Sequence, residues 1–452
     1  MPRGPAPLSE RLAQPGWLAS FIVAAVATAA VCYPAWPGLM SYDSLFAYQQ
    51  ARYGVQTMLW PPLHTYMFEV SERLGAGTGG VLVFQTFTLF AAAGVIIHLL
   101  LRSRAVAFLL SVGFAGLIFL SPPVLGPMLV HWRDVPTASF AFLGVMFWLL
   151  AARSGRPWML APAALAFAAS VALRYNAFVL VAFLLALMVW SPLLGRPSRF
   201  ARPFVLVCAI GSLGLAWAST QWRLPDMMRM PAPSNFSGTQ QFDLIGISAC
   251  ADHNYLPPGL APPGTSAYHI RKTYDPRHLH MTLAPKPGTP KFAETDGGGA
   301  VQRTWLPVIM KEPGCYLSHR LTVFVEQMGM AEGDVFYPTH AAIDRNPFGL
   351  KPAHPEALVE VTTYILERDQ EVWRRPAWLY VFAIAFAGLA ALRERGHAPL
   401  LLALLAGALA YPALLFVASP AADARYIFPS NVMSLLIAMV SLGLLIARPR
   451  QR

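Results

Sequence analysis

The chain has 452 residues, of which 56% are hydrophobic and only 13% charged, with a net charge of +11. Soluble domains carry about 25% charged residues, so this balance excludes an ordinary water-soluble globule. The basic residues sit in short connections between apolar blocks and form no basic face with interleaved aromatics. Nucleic acid is therefore not an expected partner.

Apolar blocks near the length needed to cross ~30 Å of hydrocarbon predict spanning helices at 17–36, 79–101, 105–121, 136–152, 157–173, 175–194, 203–220, 376–392, 399–418 and 426–447. Taken alternately, one set of connections holds Arg102, Arg104, Arg153, Arg156, Arg196, Arg199, Arg202, Arg393 and Arg395, with Arg3, Arg11, Arg448, Arg450 and Arg452 at the termini. The opposite short connections hold only Arg52, Arg73, Arg133, Arg174 and Arg425. Positive residues favour the cytoplasmic side, which predicts both termini inside and residues 37–78 and 221–375 outside. The length of the first apolar block, and Val31 ahead of Cys32, argue against a cleaved signal peptide. The expected fold is an all-α polytopic membrane protein of about ten transmembrane helices, with a mixed extracytoplasmic domain before the last three. Its expected parts are a membrane module over 1–220, the outward domain over 221–375 and the final helices over 376–452.

Within 37–78, Ser44–Arg52 and Pro62–Leu74 read as short interfacial helices with Phe, Tyr and Leu toward lipid. Pro61-Pro62 suits the start of the second. The segment 221–375 has a Pro/Gly-rich middle, as in Pro257-Pro258-Gly259 and Asp296-Gly297-Gly298-Gly299. It then turns helical from Thr304 to Gln327 with a break at Pro313-Gly314, and again from Glu356 into the eighth span. Cys32 and Cys208 lie in apolar spans and read as packing residues, and no Cys-x-x-Cys spacing suggests zinc. Cys250 and Cys315 share the outward segment, where an oxidising environment favours a disulfide between them.

The acidic residues of the short loops and span ends gather on the outward side: Asp43, Glu69, Glu72, Asp134 and Asp423. Insertion does not demand this, and charges near hydrocarbon are usually functional or paired. Asp43 reads either as a helix cap before Ser44-Leu45-Phe46 or as a base or metal ligand. Asp134, just before Pro136, allows the same two readings. Arg174 offers a planar donor fork for phosphate or carboxylate, or snorkels to the headgroups. Asp423 and Arg425 serve the site or simply pair with other loops. Trp132 reads as an interfacial anchor, and the histidines of 221–375, including His278-x-His280, as surface residues.

The strings Ser41-Tyr42-Asp43-Ser44, Trp60-Pro61-Pro62-Leu63, Trp132-Arg133-Asp134-Val135-Pro136, Arg174-Tyr175-Asn176 and Asp423-Ala424-Arg425-Tyr426 occur in this order on the expected outward side. Together they resemble the membrane-embedded C-type glycosyltransferases (the GT-C superfamily), in particular bacterial members, over 17–220 and 376–447. The outward segment matches more loosely, at Trp305 and Tyr316-Leu317-Ser318-His319-Arg320. The resemblance implies transfer of a sugar, with inversion, from a polyprenyl-phosphate donor to a lipid, glycan or protein acceptor. It implies a bacterial inner membrane, with the site facing the periplasm. It implies Asp43 and Asp134 as catalytic carboxylates, with Asp134 either holding a divalent ion (Mg or Mn) together with Asp43 or positioning the acceptor. Arg174 and Arg425 would bind the donor phosphate, with Tyr42, His131, Asn176 and Asp423 as further site residues. One departure is that many members have two adjacent acidic residues in the first loop, whereas Asp43 stands between Tyr42 and Ser44. Two other readings are a transporter or flippase of a lipid-linked saccharide and a non-catalytic envelope assembly protein. The chain has neither the repeated halves nor the broken midplane helices common in transporters.

Overall fold

A computed structural model describes residues 16–57, 61–101, 103–190, 228–230, 235–278, 291–293 and 299–446, and scattered residues within 203–218. The expected seventh span at 203–220 is covered only by those scattered residues. Trp60, Cys208, His280 and residues 296–298 lie outside the described residues.

Among the described residues six helices are long and apolar enough to cross a membrane: Leu18–Ala35, Gly77–Leu100, Asp134–Ser154, Pro376–Arg393, Ala398–Ala418 and Ala424–Ile446. The pair Arg104–Leu120 and Pro122–Met128 is long and apolar enough only when taken together, and its axes turn through 87°, the geometry of a broken span or a re-entrant loop. The bend falls at Ser121-Pro122-Pro123, where two prolines lack the N–H groups that would continue the ladder. The expected helix at 105–121 thus ends on schedule, and the chain turns aside into a buried short helix. Leu160–Leu173 is apolar but shorter than the block expected there, and the apolar helix Phe178–Trp190 runs to the edge of the described residues.

The C-terminal helix is the hub of the membrane part. Of its apolar window 83% is buried, against 28% for Pro376–Arg393, which leaves Val381, Phe382, Ile384 and Leu389 exposed toward lipid. Two polar contacts lie in its interior: Tyr380 donates to Asn431 at 2.9 Å, and Ser430 donates to the Ala408 carbonyl. Asp134–Ser154 packs between Gly77–Leu100 and Leu160–Leu173. There Gly144 lets the helices close up, since a Cβ would come within 2.3 Å of the Phe167 ring.

At one end of these helices the chain builds a polar cap. Helices Tyr42–Tyr53 and Pro62–Arg73 pack on each other. Contrary to the expected lipid-facing arrangement, Leu45, Tyr48 and Phe68 point inward. Tyr48 packs edge-on against Phe68 and Phe348 and donates to Glu72 at 2.8 Å. Ring burial of this kind outweighs what partial immersion in headgroups offers, because Phe348 arrives from far along the chain to complete the cluster. Strands Val55–Thr57 and Met228–Met230 pair in parallel, with Val55 opposite Met228. The described part of 235–375 is otherwise helix and loop: Asn235–Ala251, Ala267–Thr273, Ala300–Lys311, Pro313–Gln327 and Pro355–Arg368. The expected break at Pro313 is present, and Cys250 is joined to Cys315 by a disulfide.

Candidate functional site: five charges from four segments

The site is built where the first helix ends. Gly38 has φ +108°, and a Cβ there would lie 1.9 Å from His131 Nε2, so only glycine allows the turn and the contact together. His131 Nε2 meets the Pro37 carbonyl at 3.0 Å. Residues 39–40 then lie between two others in extended form, bridged as Leu39 to Val130 and Met40 to Ile343. This clamp brings Tyr42-Asp43 beside Trp132-Arg133-Asp134. Trp132 donates to Ser41 Oγ at 2.9 Å, and Ser44 Oγ donates to the His131 carbonyl at 2.8 Å.

Asp43 is not a cap. Ser41 occupies the N-cap position, and Asp43 lies in the first turn with its Oδ2 2.6 Å from Arg425 Nη2. The adjacent helix N-terminus favours its charge. Arg425 also places Nε 2.8 Å from Asp423 Oδ2, so one guanidinium bridges two carboxylates. Its plane lies over the Trp132 ring at 4.7 Å and the Tyr426 ring at 5.3 Å. Asp134 is likewise no cap: it opens its helix with no side-chain capping bond, and its Oδ1 pairs with Arg174 Nη1 at 2.9 Å. Arg174 is buried and packs over the Tyr426 ring, 4.6 Å from its centre. A snorkelling role does not fit that burial.

Asp43, Asp134, Arg174, Asp423 and Arg425 thus form one cluster from four chain segments, with the Tyr426 ring shared by both arginines. Access differs sharply among them. Asp43 keeps 38% of its side-chain surface, whereas Asp134 keeps 1%. Burial pushes the Asp43 carboxyl upward, but Arg425, and after it Arg133 and Arg174, outweigh this and hold it below the usual carboxylate range. Asp423 moves the other way, to about 6: burial raises it, Arg425 opposes, and repulsion from Asp134 and Asp43 adds to the rise. Arg133 is lowered by burial and by repulsion from Arg174.

Other expected residues serve the scaffold or the rim. His131 is fully buried against Pro37 and Phe68, and burial lowers its pKa to about 4, so it is a neutral brace for the Gly38 turn. Tyr42 is exposed at the rim, stacked on Phe46. Asn176 is half-buried in the one-turn helix Tyr175–Ala177, beyond the ion pairs. Trp132, expected as an interfacial anchor, is instead the buried floor under Arg425. Sequence reading also passed over Tyr337. Its ring lies 5.5 Å from Trp132, its hydroxyl is 2.7 Å from His340 Nδ1, and its φ of 55° is uncommon for a bulky residue. That backbone strain leaves no trace in residue type.

The donor set does not suit the expected Mg or Mn ion. Among the described residues no three His, Cys, Asp or Glu side chains gather as a metal site, and Asp43 and Asp134 each already face a guanidinium.

No family model matches the chain, and no curated protein matches it. Among solved structures it is similar to the crystal structure of the Archaeoglobus fulgidus oligosaccharyltransferase in complex with Zn and sulfate, at 13% identity and a TM-score of 0.43, over 94% of this chain and 48% of that one. The chain therefore spans about half the length of that protein.

Proposed function

We propose that this protein is a membrane glycosyltransferase that moves a sugar from a polyprenyl-phosphate donor to an acceptor hydroxyl on the extracytoplasmic face. The observation that carries the reading is the Asp43–Arg425–Asp423 bridge: a partly open carboxylate held by a guanidinium that has a second carboxylate behind it. Such an arginine can exchange partners. An arriving phosphate offers it a better bidentate acceptor than a single carboxylate oxygen, while Asp423 keeps it in place. Asp43, relieved of its cation, then becomes a stronger base.

In the proposed step the acceptor hydroxyl attacks the anomeric carbon and the acceptor oxygen–carbon bond forms. The bond from that carbon to the phosphate oxygen breaks, and the configuration inverts. The proton passes to Asp43, and the charge released on the carrier phosphate is received by Arg425 and Arg174. Asp134, almost fully buried, orients Arg174. Charge stabilisation by groups already in place costs no reorganisation as the reaction proceeds. The binding partners on this reading are the lipid-linked sugar, the acceptor and membrane lipid.

The test is to incubate the purified protein with a panel of polyprenyl-phosphate sugars and candidate acceptors and to follow release of the carrier phosphate. At least one donor should give enzyme-dependent release with a glycosylated product. Binding or movement of lipid-linked saccharide across vesicles, with no release from any donor, contradicts the proposal.

A further inference from the structure

A second set of charges lies entirely inside the polar segment. Asp243, on Asn235–Ala251, and Arg320, on Pro313–Gln327, form an ion pair of 2.7 Å in which neither side chain retains any exposed surface. Trp305 donates to the other Asp243 oxygen at 2.7 Å, and His319 Nε2 lies 3.3 Å away. Tyr274 meets His319 Nδ1 at 2.7 Å. Gly246 permits the two helices to approach this closely, since a Cβ there would fall 2.2 Å from the His319 ring. Burying an ion pair is costly and often contributes nothing net to stability compared with apolar packing. A fully buried guanidinium therefore calls for a reason beyond holding two helices together.

The reason lies in what Arg320 does with its remaining donors. Its Nη1 donates to the Ser419 carbonyl at 2.7 Å. Ser419 begins the short loop between Ala398–Ala418 and the turn that carries Arg425. About two turns further along the same helix face, Gln327 Nε2 reaches Ser419 Oγ at 3.5 Å and the Asp423 carbonyl at 3.4 Å. Ala422 is enclosed by Phe242 and Val323. The loop's own amides point back to the polar segment: Ala422 N–H to the Arg277 carbonyl at 2.7 Å and Ala424 N–H to the Phe336 carbonyl at 3.1 Å.

We infer that Arg320 and Gln327 are positioning residues that clamp the 419–424 loop onto the polar segment and so fix where Asp423 and Arg425 stand. Asp243 orients Arg320 for this purpose. The inference rests on the site reading given above for its functional consequence, but the clamp itself is measurable without any transfer assay.

The measurement is amide hydrogen exchange on the full-length protein in detergent, read at Ala422 and Ala424 and across Asn235–Ala251. The variants are Arg320→Met and Gln327→Leu, the second leaving the Asp243–Arg320 pair untouched. Both should speed exchange at Ala422 and Ala424 by about tenfold or more, by raising the population of the locally opened loop. Asn235–Ala251 should stay protected in Gln327→Leu. With an active donor in hand, both variants should raise the donor KM more than they lower kcat. Wild-type exchange at Ala422 and Ala424 in a folded Gln327→Leu protein overturns the clamp, as does loosening confined to Asn235–Ala251 in Arg320→Met. If no donor is ever turned over, the exchange result still decides the clamp on its own.

Discussion

The chain holds two charge clusters that look alike on paper and differ in one physical respect. Both set carboxylates against arginines among aromatic rings. Asp243 and Arg320 are sealed, with no exposed surface on either side chain, whereas Asp43 is paired with Arg425 and still open. The sealed pair joins neighbouring helices and one loop. The open cluster joins segments separated by up to 382 positions and leaves one carboxylate partly exposed. Accessibility, and not charge alone, is what separates the proposed site from the sealed pair.

The largest way to break this comparison is to remove the bridging guanidinium. Arg425→Gln leaves Asp43 and Asp423 facing each other without a cation, and transfer should fall about 10²–10³-fold, the scale of losing one preorganised charge donor. Steady-state transfer in folded protein checks this. Arg174→Lys is gentler. It keeps the charge but loses the planar fork, so donor KM should rise about tenfold with normal membrane insertion. Unchanged donor affinity in Arg174→Ala would restrict Arg174 to supporting Asp134.

Acid should reveal the scaffold next. His64 and His131 are buried outside the spanning segments, and burial lowers them to about 3 and about 4. The unfolded chain takes up these protons first as pH falls below about 6.5, so stability drops on acidification. Asp423 and Asp369, both raised to about 6 by burial, act in the opposite sense between about 6 and 3.8, where the folded state binds the extra proton. The histidine displacements are the larger, so the melting temperature in detergent should fall from pH 6.5 to 4.5. His64→Gln should flatten that slope, by up to about 1.4 kcal/mol per pH unit for one proton. The smallest effect on function belongs to the disulfide. Reducing Cys250–Cys315, which closes a separation of 65 residues, should cost the polar segment roughly 2–4 kcal/mol. Transfer at low temperature should be unaffected.

Much of the open cluster was legible in the sequence, because a charged residue at the end of an apolar block stands out. Asp43, Asp134, Arg174, Asp423 and Arg425 were all visible in that way. Which of them meet was not visible, since the pairs join positions remote in the chain. The capping readings failed for the same reason: a distant arginine competes for the carboxylate more strongly than the local N–H groups do. His131 adjoins the cluster in sequence, but its ring packs against Gly38 and Pro37, a contact between positions remote in the chain. The inward turn of Leu45, Tyr48 and Phe68 depends on Phe348, and while the end of the helix near Leu120 was legible, the 87° turn into the short helix Pro122–Met128 was not.

The central claim is that Asp43 is the base of a sugar transfer, and Asp43→Asn tests it most directly. Asparagine fits the same space and can still accept a hydrogen bond from Arg425, but it cannot take a proton. Once a donor and acceptor are known and the variant is shown to be folded by its melting profile, single-turnover transfer should be slowed about 10²–10⁴-fold, the usual contribution of general-base catalysis. Donor binding should be retained or strengthened, because Arg425 is no longer tied to a carboxylate. Transfer at the wild-type rate in a well-folded Asp43→Asn protein would contradict the account.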